Sequence, residues 1–184
     1  MLKKFQILGC SGGIPTEDRG VTCLMISTTQ FDIMVDCGEG SYIRWKKEKY
    51  KWRNLKYIII THMHPDHIGG LLPFLFYRKI QGINNPLTLV GPQNLKTYLM
   101  DSFQHSGINY NEDVKFINIA KKMKLKINKE IQLCAIEMEH KIPCWGYSFK
   151  DENKKLTFVT DTRKNDNTIK LAENSDVLIH EATY

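Results

Sequence analysis

The segment ITHMHPDHIGG, residues 60–70, constrains the fold more than any other part of the chain. It holds three of the six histidines and an aspartate, directly after the apolar run Tyr57–Ile60. Such a short β-branched and aromatic run predicts a buried strand. Polar groups buried at its end need partners, because unpaired buried polar groups cost free energy. A metal ion is the natural partner for so many imidazoles, so we expect a metal site where this strand ends.

The spacing within this segment predicts two metal ions rather than one. His62 and His64 are two residues apart, so an extended chain points both side chains the same way. Pro65 keeps His64 out of the helical region and prolongs that geometry. Asp66 and His67 follow the turn and can face a second centre. One tetrahedral ion cannot use all these ligands and keep an open position, whereas two ions can. Imidazole and carboxylate without thiolate suit Zn²⁺ or a similar first-row ion.

Composition restricts the class of protein. The 184 residues, 42% hydrophobic and 25% charged, predict one globular domain over residues 1–184. No apolar run is long enough for a signal peptide or a membrane span, so we expect a cytoplasmic protein without a membrane partner. Five scattered cysteines without a CxxC pair predict buried, reduced thiols. The net charge of +6 permits a polyanionic substrate, and the lysine-rich stretch 121–129 is expected to be a solvated face.

Periodicity and turn residues predict two sheets with helices outside them. Strands are expected at 3–8, 21–27, 31–36, 57–60, 87–90, 115–119, 132–138, 145–149, 156–160 and 177–180. Helices are expected at 41–49, 69–80, 92–106 and 168–174. His140 and Asp161 each come at the end of a predicted strand, so both should lie where the sheet ends converge.

Six motifs are spread along the chain: LGCSGGIPT (8–16), VDCGEGS (35–41), THMHPDHIGGL (61–71), LTLVGP (87–92), MEHKIPCWGY (138–147) and FVTDTR…LAENSDVLIHEATY (158–184). The histidine segment resembles the metal motif of the metallo-β-lactamase fold superfamily. The DCGEG and TDT…HEATY segments resemble its ribonuclease Z branch. This resemblance implies an α/β (α+β) fold, the αββα sandwich of the metallo-β-lactamase type. It also implies two zinc ions, with Mn²⁺ or Fe as alternative metals.

The resemblance implies a role for each candidate ligand. The implied ligands are His62, His64 and His140 for the first zinc, Asp66 and His67 for the second, and Asp161 for both. Asp66 would also be catalytic, orienting the attacking hydroxide or taking its proton. His180 and Glu181 match no ligand position and are expected to support ligands by hydrogen bonding or to pack in the core. Asp36 is expected to support a ligand or to fix its loop rather than to bind metal. His105 is expected on the surface.

The reaction that the resemblance implies is hydrolysis of a phosphodiester by a metal-activated water. In the ribonuclease Z family this reaction removes the 3′ trailer from precursor tRNA, and the basic charge suits an RNA substrate. The family commonly forms homodimers. Two other functions stay open: hydrolysis of a small substrate such as a cyclic nucleotide, and a domain that binds one metal and serves as a subunit. HxHxDH alone also fits lactam or thioester hydrolases, which DCGEG and HEATY disfavour.

Three features depart from the ribonuclease Z pattern. That family usually has glycine at the position of Pro65. Only 20 residues separate His140 from Asp161, where the family usually inserts a tRNA-binding arm, and the missing arm favours a small substrate. The family also continues beyond the position of Tyr184, with a catalytic histidine and the last histidine ligand of the second zinc. We therefore expect a C-terminally incomplete domain with a weak second metal site and low or no nuclease activity.

Overall fold

The computed structural model describes residues 1–108, 114–119 and 122–181. Its strands are β1 (Leu2–Gly9), β2 (Cys23–Thr28), β3 (Asp32–Val35), β4 (Leu55–Ile59), β5 (Leu87–Gly91), β6 (Val114–Asn118), β7 (Lys122–Lys126), β8 (Gln132–Met138), β9 (Cys144–Lys150), β10 (Lys155–Val159) and β11 (Val177–His180). Its helices are α1 (Ser41–Lys47), α2 (Pro65–Ile68), α3 (Leu71–Ile80), α4 (Leu95–His105) and α5 (Asp166–Ala172). Every strand and helix expected from the sequence is present, and no end is displaced by more than about three residues.

The strands form two sheets whose topology brings several strand ends together. The first sheet has the order β1-β2-β3-β4-β5-β6, antiparallel as far as β3 and parallel from β3 to β6. The second has the order β11-β10-β9-β8-β7, antiparallel except for the β10–β11 pair. Strands β3 and β4 therefore end at the same edge of the first sheet. Strands β8 and β10 are both antiparallel to β9, so they too end at a common edge.

The apolar side chains divide into three core layers. One lies between the first sheet and helices α1, α3 and α4, and includes Trp45 and Phe74. The second lies between the two sheets and includes Ile33 and Tyr147. The third lies between the second sheet and α5, around Leu171. Strand residues alternate between layers, as the pleat requires. The result is the αββα sandwich expected from the sequence.

Two short elements were not expected. Helix α2 takes the place of a simple turn after His64, and it begins at Pro65, where the missing N–H costs no hydrogen bond. Strand β7 lies in the lysine-rich stretch, which the sequence analysis assigned to a solvated face. Its lysines are exposed, while Met123 and Leu125 are half-buried against the inter-sheet core. A sheet edge lined with lysine resists pairing with other chains. Lys121 and the end of the HEATY motif, residues 182–184, lie outside the described residues.

The cysteines and the helix lengths complete the fold. All five cysteines are free thiols, as expected. Cys23, Cys37 and Cys144 are buried, but Cys134 is only half-buried and Cys10 is exposed, so burial was predicted wrongly for these two. Within residues 1–108, 114–119 and 122–181, no helix has the length and hydrophobicity needed to cross a membrane.

Candidate metal centre

The six candidate ligands meet at one place, although they come from three separate parts of the sequence. His62 and His64 follow β4, Asp66 and His67 lie on α2, His140 follows β8 and Asp161 follows β10. Their potential ligand atoms form two groups, each with all atoms within 4.8 Å of one another. The groups are His62, His64, His140 and Asp161, and Asp66, His67 and Asp161. Each group could hold a metal ion, and Asp161 belongs to both.

Three imidazole nitrogens converge in the first group. His62 Nε2 lies 3.0 Å from His64 Nδ1, which lies 3.1 Å from His140 Nε2. His64 Nδ1 offers either one proton or one lone pair, so it can make a well-directed hydrogen bond to only one of these two neighbours. A cation satisfies all three nitrogens at once. His64 is extended, with φ −68° and ψ 147°, as Pro65 was expected to require.

Carboxylates surround the imidazole of the second group. His67 Nε2 lies 3.0 Å from Asp161 Oδ2 and 3.3 Å from Asp66 Oδ2. The hydrogen bond from His67 lowers the pKa of Asp66. Burial alone would raise the pKa of Asp161, but hydrogen bonds from His67 and from Thr160 hold it well below its usual range. Two ionised carboxylates beside a ring nitrogen are a donor set that suits a divalent cation.

The surroundings of His62 keep its imidazole neutral. Its side chain is fully buried. Burial and the neighbouring charge of His67 lower the pKa of His62 to about 3. The unprotonated imidazole is the form that binds metal, so protons compete little for this ligand at neutral pH.

The turns after β3 and β10 place two aspartates in an unusual backbone conformation. Asp36 has φ +57° and Asp161 has φ +55°, in the left-handed region that few residues other than glycine adopt. Aspartate tolerates this region better than most residues, and such strain clusters at functional sites. Asp36 is fully buried, and its Oδ2 lies 2.7 Å from His67 Nδ1. It therefore supports a candidate ligand by a hydrogen bond, as the sequence analysis expected.

The DCGEG loop packs its backbone directly against the histidine segment. Cys37 N donates to His67 O at 2.8 Å, and Gly70 N donates to Cys37 O at 2.9 Å. A Cβ atom on Gly38 would lie 2.2 Å from Asp66 O, and one on Gly70 would lie 2.2 Å from Gly38 O. Only glycine permits this approach at both positions. The two motifs therefore form one rigid unit beneath the candidate site.

The cluster opens into a cavity of about 890 Å³. Asp66, His67, His140 and Asp161 lie in its wall, together with Cys10 and the loop after β1. Three exposed cationic side chains also line it: Arg19, Lys141 and Arg163. The cavity is therefore open to solvent and can offset the charge of an anionic substrate.

The two remaining histidines, His105 and His180, lie in different parts of the structure. His180 and Glu181 line the same cavity, but His180 Nδ1 lies 2.6 Å from the carbonyl oxygen of Glu181 rather than beside a candidate ligand. His105 is exposed on α4, as expected. Thr61, whose hydroxyl contacts His62 and Asp36, was not expected from the sequence to belong to the site. The sequence feature that could have indicated its role is its position, since it is a polar residue between a buried strand and the first ligand.

Comparison with known proteins agrees with this geometry. A family model described as Anti-Pycsar protein Apyc1 matches residues 3–184. A protein named Ribonuclease Z from Clostridium acetobutylicum is 30% identical over 171 residues, covering 90% of this chain and 55% of the relative. The chain thus spans about half the length of that curated relative.

Solved structures show the same fold. Human tRNase Z, short form, superposes with a TM-score of 0.85 at 24% identity, covering 98% of this chain and 78% of the other. The metallo-β-lactamase fold protein YhfI from Bacillus subtilis gives 0.81 at 21% identity, covering 98% and 70%. This fold and its ribonuclease Z-like branch were predicted correctly from the sequence, whereas the narrower family was not. The chain is a metallo-β-lactamase-fold, ribonuclease Z-like protein that belongs to the family described as Anti-Pycsar protein Apyc1.

Proposed function

We propose that this chain is a metal-dependent phosphodiesterase that hydrolyses a small phosphodiester, such as the cyclic phosphate of a nucleotide. The observation that carries the proposal is the convergence of six imidazole and carboxylate side chains, four of which line one open cavity. The fold and the candidate metal cluster support a hydrolase in general. The assignment of a small phosphodiester as the substrate is the part that we propose.

The proposed metal ligands are the two groups of side chains described above. His62, His64 and His140 would hold one ion, Asp66 and His67 the other, and Asp161 would contact both. Two divalent ions, zinc being the expected metal, would supply hydroxide at neutral pH and stabilise negative charge on the phosphoryl oxygens.

Asp66 is the proposed catalytic residue beside its role as a ligand. Its carboxylate is half-buried and lines the cavity. An ionised carboxylate accepts hydrogen bonds, including one from a water molecule. Asp66 would therefore orient the attacking water towards phosphorus.

The short connection between His140 and Asp161 favours a small substrate. Strands β9 and β10 fill it as a tight hairpin, closed by a hydrogen bond from Asp151 N to Lys154 O at 3.0 Å. No arm protrudes from this described segment to grip a macromolecule. The cavity of about 890 Å³ falls within the usual range for small-molecule sites. Lys141 and Arg163 would neutralise the phosphate charge at its wall.

Cleavage of the 3′ trailer of precursor tRNA is the second candidate function. It is favoured by the 30% identity to a protein named Ribonuclease Z and by the net charge of +6. The matching family model, in contrast, has a description that does not name a ribonuclease. A cytoplasmic location and a homodimer stay predictions from the sequence under either function.

Three substrates tested side by side decide between the candidates. The purified chain, loaded with Zn²⁺ or Mn²⁺, would be given a cyclic nucleotide, bis-p-nitrophenyl phosphate and a precursor tRNA. We expect hydrolysis of the two small phosphodiesters and no trailer release. Preferential trailer release would overturn the small-substrate proposal in favour of the second candidate. Binding of one metal or none, without hydrolysis of any substrate, would favour a non-catalytic subunit.

A further inference from the structure

One buried carboxylate lies within hydrogen-bond distance of groups that serve both metal sites. Asp36 Oδ2 is 2.7 Å from His67 Nδ1 and 2.9 Å from Thr61 Oγ1. Asp36 Oδ1 accepts from Thr61 N at 2.8 Å. Thr61 Oγ1 in turn lies 3.0 Å from His62 Nδ1. Asp36, Thr61 and His62 are fully buried and His67 is almost so, which leaves no room for solvent to exchange these partners.

The protons in this chain of contacts can be assigned from donor and acceptor capacity. A carboxylate only accepts, so the single hydroxyl proton of Thr61 points to Asp36. The oxygen of Thr61 then has only lone pairs to offer His62, so His62 Nδ1 must carry a proton and donate it. His67 Nδ1 must likewise donate to Asp36. The Nε2 atom of His62 is then left with a lone pair facing the candidate metal site, whereas His67 Nε2 faces Asp66 and Asp161 and gives up its proton when a metal binds.

We propose that Asp36 sets the tautomer of one histidine in each metal site, directly for His67 and through the hydroxyl of Thr61 for His62. This inference rests on the proposed metal ligation by these two histidines. Asp36 and Thr61 are positioning residues, because they act on the ligands and touch neither site themselves. Histidine ligands in metalloproteins are commonly oriented by a hydrogen bond at the second ring nitrogen. Here one carboxylate would serve two rings, with a threonine hydroxyl relaying its effect to the second.

The geometry supports a relay rather than two independent supports. Thr61 donates both its backbone N–H and its hydroxyl proton to the Asp36 carboxylate, so its side chain is held in one orientation. Its carbonyl oxygen accepts from Trp145 N at 3.1 Å, which ties it to the second sheet as well. The residue between the buried strand and the first ligand is therefore fixed from three directions.

The tautomers can be read by ¹⁵N–¹H NMR of protein labelled at its six histidines, with and without Zn²⁺. We expect His62 to carry its proton on Nδ1 in both states, and His67 to keep the Nδ1 proton when zinc is bound. A His62 proton on Nε2 would overturn the relay. This readout does not involve hydrolysis, so a failure to cleave any substrate would count against the proposed function alone. Absence of zinc binding would also count against the proposed function, while the metal-free spectrum still tests the relay.

Substitutions at Thr61 then test the consequence for metal binding. Thr61→Val removes the hydroxyl while keeping the branched shape, and should weaken the tighter zinc site by about 10- to 100-fold. Thr61→Ser keeps the hydroxyl and should restore most of the affinity. Thr157→Val is the matched control, since Thr157 is a buried threonine of β10 whose hydroxyl contacts Ser175, between α5 and β11. Zinc affinity equal to the unmodified chain in Thr61→Val would contradict the proposal. If that variant does not fold, the spectrum of the unmodified chain decides.

Discussion

The two sheets contribute to the metal centre in different ways. The first-sheet half-site, His62, His64, Asp66 and His67, comes from six consecutive positions and has its innermost rings buried against Asp36 and Thr61. The second-sheet half-site, His140 and Asp161, comes from two separate strand ends and is partly open to solvent. The Asp161 side chain is 23% exposed, against 1% for His67.

This difference shows how the centre is built. The first-sheet half-site is largely preorganised, because buried hydrogen bonds fix its rings without help from a metal. The second-sheet half-site depends on the packing of one sheet against the other. Hydrogen bonds from Trp145 N to Thr61 O and from Tyr147 Oη to Ile60 O help to join the sheets near the site. The first half-site should therefore contribute more to stability, and the second should decide whether the centre is complete.

The largest expected effect is on stability and separates the two half-sites. His67→Ala leaves Asp36 buried without its imidazole partner, so the free energy of unfolding should fall by about 3–5 kcal/mol. His140→Ala removes a half-exposed side chain and should cost less than about 1 kcal/mol. Urea unfolding of the metal-free variants measures both. Equal losses of unfolding free energy in the two variants would mean that the two half-sites contribute equally to stability.

Activity should be most sensitive to Asp161, the second-sheet residue that belongs to both ligand groups. Asp161→Ala should lower hydrolysis of bis-p-nitrophenyl phosphate by more than about 100-fold, beyond the usual loss for a residue that only supports a ligand. Asp166→Ala, an exposed aspartate on α5, is the control and should retain activity. Comparable activity in the two variants would mean that the first-sheet half-site works without its partner.

Metal removal should lower the free energy of unfolding, because a bound ion joins the two half-sites. A ligand that binds only the folded state stabilises it, and zinc at ten times its dissociation constant should add about 1.4 kcal/mol to the free energy of unfolding. EDTA should remove this increment. The His140→Ala variant should show a smaller increment, because one group has lost a ligand. An increment unchanged by this substitution would indicate that zinc binds elsewhere.

The smallest expected effect concerns the cations at the cavity wall. Lys141→Ala and Arg163→Ala should each raise the KM for a cyclic nucleotide by about two- to fivefold, because exposed charge pairs contribute about 0.2–1 kcal/mol. The value of kcat should change little, since neither residue is a proposed ligand. Lys170→Ala, an exposed lysine on α5, is a suitable control. A loss confined to kcat would place these cations nearer the reacting atoms than proposed.

The first-sheet half-site was the more predictable from sequence, for a physical reason. Its ligands are neighbours in the chain, so local rules such as the extended residue before Pro65 fix their geometry. For His140 and Asp161, local rules predicted only the strands that precede them, and the resemblance to a known family supplied their roles. Their approach to His64 and His67 depends on sheet packing, which no local pattern encodes.

The unpredicted features depend on tertiary contacts too. The relay through Thr61 requires that β3 and β4 end side by side, so that Asp36 reaches a residue 25 positions away. Strand β7 is a strand because it pairs with β8, although its sequence KMKLK is mostly lysine. Tertiary pairing overrides the weak preference of lysine for strands. Arg19 lies in the cavity wall because the loop after β1 forms part of that wall.

A crystal structure of the chain with zinc, with anomalous scattering used to locate the ions, would show directly whether the six side chains bind metal. We predict zinc bound among His62, His64, His140 and Asp161, with nitrogen ligands at about 2.0–2.1 Å, and a second, weaker zinc among Asp66, His67 and Asp161. Zinc found only at other positions, with these side chains unligated, would show that the six side chains are not the metal ligands.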